Sequence, residues 1–348
     1  SRSLLPGGGL VLLAGLAEPV AAHAGALSGS LESVPVPSWL VVVTGGGVIG
    51  ASFLFAALVT DHGMIRSANA RAVGLATPTN GWAVVGRVGR FLGLVGLVLV
   101  VVNGLGEPRS PARSLAILLV WAGWWAGYTM TTYLIGNTWS GLDPWRALAT
   151  PLPREGRWSL PSRAGPWVSA AGLIILVWLE VVSPVGDRPR LLATVVLGYT
   201  VVALVGASLL GRETWFAEVD PIAHVFRTYG RMAPVRRTDD GLEFSFPGAA
   251  LAAGRTGDDL AIPFVVALLW VTTYDGLVAT PAWATAAGLV VDVGVPAHVL
   301  YLVTAVVGFG LFLWAYRFAA RYARRTGDTY VSADQIGTWI VPSLVPIA

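Results

Sequence analysis

The sequence contains neither cysteine nor lysine, and it has few charged residues of any kind. Without cysteine the chain has no disulfides, no thiolate metal ligands, no covalently attached c-type haem and no cysteine nucleophile. Without lysine it has no phosphate-binding P-loop and no Schiff-base chemistry. Charged residues make up 12% of the 348 positions, and a net charge of +3 does not indicate a nucleic-acid partner.

The sequence instead contains long runs of apolar residues. The mean hydropathy is +0.67, and a hydrocarbon layer of about 30 Å needs roughly 20 apolar residues per helix. Because backbone groups in lipid must be hydrogen-bonded within their own segment, such runs predict helices. The result is an all-α transmembrane helix bundle of about eight to nine spans, forming a single integral membrane domain over residues 1–348. Seven long runs lie near residues 38–59, 88–106, 113–135, 165–184, 191–211, 259–280 and 297–316, a shorter one covers about 7–22, and another begins near 337.

Arginine supplies all 23 basic residues, and its distribution predicts the topology. Counting Arg2 with the rich side and Arg113 with the poor side, the split is 19 to 4. By the positive-inside rule the rich side is cytoplasmic, so the amino terminus is predicted inside and His23 outside. The arginine-rich connections lie near 60–90, 136–164, 212–258 and 317–336, and the arginine-poor connections lie near 23–37, 107–112, 185–190 and 281–296.

The two ends of the chain carry separate expectations. Residues 1–24 are either a retained helix or re-entrant segment, which Glu18 and Pro19 inside the apolar part favour, or a cleaved leader ending near Ala22-His23-Ala24. At the other end, residues 338–348 resemble half of a transmembrane helix. A span cut there would leave an uncapped helix end in lipid, so the parent chain is expected to continue past residue 348.

Glycines in the first long run match the dinucleotide-binding pattern G-x-G-x-x-G. The match lies inside an apolar span, and Asp61 follows too soon and in a loop rather than at the end of a second strand. The pattern is therefore interpreted as a G-x-x-x-G face, in which Gly46 and Gly50 allow close helix packing.

Two arginine-rich connections contain an Asp-Pro pair followed by a short helical pattern. Asp143 and Asp220 are predicted N-caps, each followed by proline at the first helical position. The pattern after Asp220 predicts an amphipathic helix at the membrane surface, with Arg227 and Arg231 near lipid headgroups and His224 on its polar face. A partner-docking or headgroup-binding surface is the alternative interpretation.

Four ionisable residues from distant parts of the chain are predicted to share the outer side. Glu180 and Asp275 lie near the outer ends of their runs, while His298 and His23 lie at the outer surface. Polar groups at membrane depth are candidate functional residues. The four could bind a divalent transition metal, or Asp275 and Glu180 could act as a catalytic acid/base pair. The alternative is interfacial, with Glu180 reaching water and Asp275 capping a helix interrupted at Gly276.

Tryptophan is concentrated in the run near 113–135. Trp121, Trp124 and Tyr128 share one helical face. A cofactor or quinone pocket could use these rings, but interhelical packing and anchoring at the membrane interface are commoner uses.

Several segments together carry a family resemblance. They are WLEVVSP at 178–184, DPWRA at 143–147, YGRMAPV at 229–235, YDGL at 274–277 and PSLVPIA at 342–348. With these segments the chain resembles a multi-pass membrane family of bacteria and archaea identified as fenitrothion hydrolases, from about His23 onwards. The resemblance implies cleavage of an organophosphate ester and a chain that continues past residue 348 with a further His-bearing helix and another span.

Three functional hypotheses follow. The first is a multi-pass cell-membrane protein with an outer-leaflet polar site for a metal ion, a proton or a small solute. The second is a membrane-bound organophosphate-ester hydrolase with Asp275 and Glu180 as metal ligands or bases. The third is a structural subunit of a larger membrane complex, whose partners would be the lipid bilayer and other membrane subunits.

Overall fold

The computed structural model describes most of the chain after residue 60. Residues 1–24, including His23 and the predicted leader or anchor, lie outside the described residues. The described residues are 61–75, 79–106, 113–161, 163–238, 241–252, 261–327 and 331–348, with isolated residues between 39 and 54.

The described chain is mostly helical, with three short strands. In chain order the elements are α1 (His62–Ala70), β1 (Ala72–Leu75), α2 (Thr79–Leu105), α3 (Leu115–Ile117, continued by the π-helical segment Leu118–Tyr128 and by Thr129–Leu134), α4 (Trp139–Leu142), α5 (Pro144–Leu148), α6 (Gly165–Val182), α7 (Pro189–Leu210), α8 (Arg212–Thr214, continued by the π-helical segment Trp215–Val219), α9 (Pro221–Tyr229), β2 (Val235–Thr238), β3 (Gly241–Ser245), α10 (Ala249–Ala252), α11 (Ile262–Val278), α12 (Pro281–Asp292), α13 (Ala297–Thr326) and α14 (Ala333–Ile340). Short 3₁₀ turns cover Pro184–Gly186, Gly230–Met232 and Val341–Leu344.

Four helices in the described residues are long and apolar enough to cross a membrane: Val84–Leu105 within α2, then α6, α7 and α13. The pair α11 and α12, bent by 83°, would bring the number to five if it is one span. The sequence predicted eight to nine. The run near 113–135 is helical throughout as α3, but its central part, Leu118–Tyr128, is a π-helix with α-helical segments on either side. The run from 337 becomes the short α14 and a 3₁₀ turn. The run 7–22 and most of 38–59 lie outside the described residues.

The bend between α11 and α12 has a local cause. Thr280 caps α12 by accepting a hydrogen bond from the backbone N–H of Trp283 at 3.2 Å, and Pro281 occupies the first helical turn. Helix α11 continues through Gly276 to Val278. The interpretation that Asp275 caps an interruption at Gly276 is therefore wrong, because the break comes after Val278.

Three of the four arginine-rich connections meet in the structure. Strand β1, from the connection near 60–90, pairs antiparallel with β3 from the connection near 212–258, and β2 pairs antiparallel with the other edge of β3. The sequence did not predict this sheet. Arg146 forms an ion pair with Glu213 at 3.0 Å, which joins the connection near 136–164 to the same group. These contacts join three of the connections that the arginine pattern predicts to lie on one side; the side itself stays a prediction.

The chain after α7 turns back along α7 rather than away from it. Gly211 has a φ of 84°, which reverses the chain direction. A Cβ on Gly206 would lie 2.0 Å from the ring of Trp215, so that ring packs directly on the α7 backbone. Further along, the Tyr199 hydroxyl donates a 2.8 Å hydrogen bond to Asp220. Asp220 therefore lies beside the middle of α7, not beside its end.

Helices α4 and α5 enter the bundle in a similar way. A Cβ on Gly93 of α2 would lie 1.8 Å from the carbonyl oxygen of Leu142. The indole Nε1 of Trp145 donates to Oγ1 of Thr200 at 2.9 Å. Both contacts fall near the middle of candidate spans.

The predicted surface location of these short helices is therefore wrong. Seven of the nine residues of α9 are buried, His224 among them. Pro221 packs against Gly172 of α6, and His224 packs against Phe264 of α11. The Arg227 guanidinium donates a 2.7 Å hydrogen bond to the backbone carbonyl of Phe216, so it is hydrogen-bonded within the protein. The amphipathic pattern was correctly identified, but its apolar face covers other helices.

Candidate functional site: an aromatic cavity between the helices

A cavity of about 590 Å³ lies among α2, α3, α6 and α7, and α4, α5 and α9 complete its wall. Its lining is almost entirely apolar, and Glu180 is the one carboxylate among the described residues that line it. Aromatic rings form much of the wall: Trp121, Trp124, Trp125, Tyr128, Trp139, Trp145, Tyr199 and Phe226.

The rings at one end of the cavity contact each other. Phe226 of α9 lies with its ring centroid 4.8 Å from those of both Tyr128 and Trp139. Trp124 contacts Trp139 with centroids 5.9 Å apart. Such edge and tilted contacts contribute about 0.5–1.5 kcal/mol per pair beyond burial. The cluster joins α3 to the short helices α4 and α9. These two helices, together with α5, close this end of the cavity and are called its floor.

Buried N-cap aspartates hold the floor helices. Oδ1 of Asp143 accepts hydrogen bonds from the backbone N–H groups of Trp145 and Arg146, at 2.9 and 3.1 Å. Oδ1 of Asp220 accepts from Ala223 N–H at 2.8 Å. These bonds confirm the predicted N-caps at both Asp-Pro pairs.

The two N-cap carboxyls are only 2% exposed, which changes their acidity. Burial, together with the negative charge of Asp220, raises the pKa of Asp143 to about 7. Burial likewise raises the pKa of Asp220. A carboxyl that retains its proton near neutral pH is less costly to bury beside another acid. The floor therefore holds two buried carboxyl groups whose pKa values are both raised.

The polar groups of the aromatic wall divide into two sets. In the first set each group has an internal partner: Trp145 donates to Thr200, Tyr199 donates to Asp220, and Tyr128 pairs with Thr138 at 3.1 Å. In the second set the buried indole Nε1 atoms have no hydrogen-bond partner in the part of the chain that the structure describes; these are on Trp121, Trp124 and Trp139. A buried polar group without a partner is uncommon in folded proteins.

The four residues predicted to share an outer site are not all brought to the cavity. Glu180 lines it, but Asp275 is exposed and is not among the lining residues. The charge of Asp275 is nevertheless close enough to interact with Glu180. The backbone carbonyl of His298 accepts a 2.9 Å bond from the Trp178 indole, which places His298 beside α6. His23 lies outside the described residues.

A metal centre is not assembled in the described ranges. No group of three or more His, Asp or Glu side chains there could hold a metal ion. Glu180, Asp275 and His298 thus do not form a three-ligand site by themselves. The metal set with His23 as fourth member stays a prediction.

His224 is a buried aromatic contact rather than a polar surface residue. Its ring stacks on that of Phe264 with centroids 4.0 Å apart and an interplanar angle of 16°. Burial, with the positive charges of Arg227 and Arg231, lowers the pKa of His224 to about 3. The imidazole is therefore neutral at physiological pH.

Sequence reasoning found part of this cavity. The face shared by Trp121, Trp124 and Tyr128 was identified as a candidate pocket wall. Trp139 and Phe226 were missed because they lie in connections that were interpreted as surface segments. The available signal was the density of large aromatic residues around the Asp-Pro pairs, which is unusual for a solvated loop.

Comparisons of this chain with protein-family models, with curated proteins and with solved structures find no match.

Proposed function

We propose that this chain is a multi-pass integral protein of the cell membrane whose aromatic cavity binds a small, largely apolar molecule, with Glu180 as a polar anchor. The single observation that carries the proposal is the cavity of about 590 Å³ with its aromatic wall and lone carboxylate. Small-molecule sites have volumes of roughly 300–1,000 Å³ and combine apolar walls with a few placed polar groups.

The membrane assignment is supported by the outer surfaces of the helices. Only 11% of the apolar window in Val84–Leu105 is buried, and only 22% of that in α13. Large side chains such as Phe91, Val102 and Trp314 are more than 60% exposed. In water such faces would be contiguous apolar patches, whereas in lipid they are the expected surface.

A lipid-soluble ligand suits the position of the cavity. Three of the helices around it, α2, α6 and α7, are candidate spans, and the arginine pattern predicts that the Glu180 end of α6 faces the outer side. An apolar molecule could enter from the lipid without passing through water. Cleavage of an organophosphate ester, which the family resemblance implies, stays a prediction, and so does a purely structural role.

The test is to fill the cavity and measure ligand-dependent stabilisation. Gly96 lines the cavity, and a Cβ there would meet no described atom within 4 Å, so Gly96→Phe places a ring into the space. Gly198→Phe is the matched control, since Gly198 is equally open but does not line the cavity.

Purified protein in detergent would be titrated with decylbenzene and with decylbenzoquinone while its melting temperature is followed. A ligand at 100 times its dissociation constant stabilises the folded state by about 2.7 kcal/mol. We expect at least one probe to stabilise wild type and Gly198→Phe but not Gly96→Phe. If neither probe stabilises wild type, or if Gly96→Phe responds like wild type, the cavity is not a binding site for such molecules.

A further inference from the structure

The second half of α13 carries an exposed row of aromatic rings. Trp314, Phe318 and Tyr322 follow one another at four-residue spacing and are 62%, 56% and 60% exposed. The ring of Phe318 stacks on that of Trp314 with centroids 5.5 Å apart, and the ring of Tyr322 follows with its centroid 6.4 Å further on. Because residues four apart are neighbours on a helix surface, the three rings form one stripe along α13.

The same face of α13 is apolar and exposed nearer the start of the helix. Val303, Val307 and Leu311 are 53%, 54% and 59% exposed. At about 3.6 residues per turn they lie within about 60° of Trp314 around the helix axis. The ring stripe therefore continues the face that the proposed membrane location turns towards lipid.

The sequence of α13 sets the depth of the rings. The twenty residues from Ala297 to Tyr316 contain neither arginine nor an acidic residue, and Arg317 follows them directly. About 20 such residues are enough to cross the hydrocarbon layer. Phe318 and Tyr322 thus fall at the depth of the lipid headgroups, where aromatic side chains are common in membrane proteins.

Exposed arginines share this end of α13 with the rings. They are Arg317, Arg321, Arg324 and Arg325, and α13 contains no acidic residue. Arg321 and Arg325 lie within about 20° of Trp314 around the helix axis, so both border the ring stripe. The Arg317 guanidinium lies 5.9 Å from the ring centroid of Trp167 on α6, which leaves the other three without a comparable contact in the described chain.

The unpaired charge distinguishes this end of α13 from several other arginine sites. Arg146 pairs with Glu213 at 3.0 Å, and the Arg227 guanidinium donates to a backbone carbonyl. In contrast, Arg321 and Arg325 form no ion pair with any residue that the structure describes. Two adjacent guanidinium groups beside an exposed apolar stripe therefore need an anionic partner from outside the described chain.

The rings and the charges together identify the partner. Guanidinium groups hydrogen-bond phosphate through paired N–H donors, and basic residues at the membrane surface attract anionic lipids. An acidic soluble protein would match the charge, but it would have to enter the headgroup layer to cover the rings. A phospholipid already lies at that depth and presents phosphate and acyl chains to the same face.

We infer that the face of α13 formed by Trp314, Phe318, Tyr322, Arg321 and Arg325 binds an anionic phospholipid, whose phosphate accepts hydrogen bonds from the two arginines. The rings contact the glycerol and the upper part of the acyl chains. This site requires the membrane location that the proposed function includes, but it does not require the cavity.

The test compares two phospholipids that differ in headgroup charge. Purified protein in a nonionic detergent would be titrated with dioleoylphosphatidylglycerol and with dioleoylphosphatidylcholine, and dissociation constants would be obtained from the shift in melting temperature. We expect the anionic lipid to bind wild type about tenfold more tightly, as two arginines at a membrane surface allow. Glycerol phosphate, which has the charge but no acyl chains, should not stabilise the protein at the concentration that saturates with the lipid.

Two double variants with the same loss of charge locate the effect. Arg321→Gln with Arg325→Gln removes the arginines beside the rings. Arg154→Gln with Arg157→Gln removes two exposed arginines from the loop between α5 and α6, outside the candidate spans. We expect the preference for the anionic lipid to fall to about twofold or less in the first variant and to stay near tenfold in the second. Arg325→Gln alone gives a partial loss if the first double variant does not fold.

Each contrary result overturns the α13 site. Equal binding of the two lipids to wild type excludes a preference for anionic headgroups, and an equal loss in both double variants assigns the preference to net charge rather than to α13. Stabilisation by glycerol phosphate as strong as that by the lipid would show a site for free anions. The titrations with decylbenzene and decylbenzoquinone report on the cavity separately, so failure of the cavity proposal and failure of the lipid site are distinguishable.

Discussion

The hydroxyl of Tyr199 donates a 2.8 Å hydrogen bond to Oδ2 of Asp220, the residue that caps helix α9. Tyr199 lies at the middle of α7, whereas Asp220 follows the chain reversal beyond its end. One bond thus ties the start of an inserted helix to the centre of a candidate span. The floor of the aromatic cavity depends on this tie, because Ile222, Val225 and Phe226 of α9 line the cavity.

Removing this bond should destabilise the fold. We expect Tyr199→Phe to lower the free energy of unfolding by about 1–2 kcal/mol, as for a hydrogen bond to a carboxyl group in a helical membrane protein. Combining it with Asp220→Asn should cost less than the sum of the two single changes, with a coupling of at least about 0.5 kcal/mol. Unfolding in mixed micelles of increasing denaturing detergent would measure both values.

An exposed N-cap provides the control for that cycle. Asp61 accepts from the backbone N–H of Gly63 at 2.7 Å, but it is exposed at the start of α1. Asp61→Asn should change stability by less than about 0.5 kcal/mol, since asparagine is an equally good cap. Additive effects of Tyr199→Phe and Asp220→Asn would show that the two residues do not support each other.

Helix α4 should depend on the absence of a side chain at Gly93. A Cβ there would lie 1.8 Å from the Leu142 carbonyl oxygen, whereas a Cβ at Gly96 would meet no described atom within 4 Å. We expect Gly93→Ala to destabilise the protein by about 1–3 kcal/mol through overpacking. Gly96→Ala on the same helix should be neutral, or stabilising by up to about 1 kcal/mol. Equal melting temperatures of the two variants would contradict the close approach of α2 and α4.

His224 should make stability depend on pH. Its pKa is lowered to about 3 in the folded protein by burial and by Arg227 and Arg231, against about 6.5 when unfolded. Between about pH 6.5 and pH 3, the unfolded chain therefore binds a proton at His224 that the folded chain does not bind. The stabilisation is complete above about pH 6.5 and is lost as the pH falls towards 3.

The comparison that isolates this effect is wild type against His224→Phe, which keeps a ring against Phe264. Between about pH 7.5 and 5.5, wild type should lose about 1.4 kcal/mol relative to the variant. The acidic pair Asp143 and Asp220 titrates in both proteins, so its contribution cancels in the difference. Parallel stability curves for the two proteins over this range would exclude His224 as the cause.

The sequence predicted the features that depend on residues close together in the chain, namely helices and helix N-caps. Apolar runs became helices because a helix satisfies its own backbone groups. Asp143 and Asp220 became N-caps because a short carboxylate before proline suits a helix start. It could not predict where α9 packs, since an apolar stripe has the same sequence pattern against lipid as against protein.

The close glycine contacts that the structure describes lie outside the G-x-x-x-G pattern, whose packing role stays a prediction because most of the run 38–59 lies outside the described residues. Gly46 and Gly50 form the recognisable G-x-x-x-G pattern, yet a Cβ on either would meet no described atom within 4 Å. The tight contacts are at Gly93, Gly206 and Gly308, the last facing the Trp270 ring. A glycine contact depends on what approaches from another part of the chain, and a spacing rule does not contain that information. The π-helical centre of α3 is likewise invisible to a pattern that assumes a period of 3.6 residues.

Single introduced cysteines can show which side of the membrane each connection occupies. Because the chain has no cysteine, a single introduced cysteine is the only thiol that a maleimide can label. Glu155 and Phe246 are exposed in arginine-rich connections, and Asp187 is exposed in an arginine-poor one. By the positive-inside rule, a membrane-impermeant maleimide should label Asp187→Cys in intact cells, and Glu155→Cys and Phe246→Cys only after permeabilisation. All three should react equally in detergent. Reversed labelling of all three would overturn the arginine-based orientation but leave the fold intact. Opposite behaviour of Glu155→Cys and Phe246→Cys would contradict the fold, because the ion pair between Arg146 and Glu213 holds their two connections together.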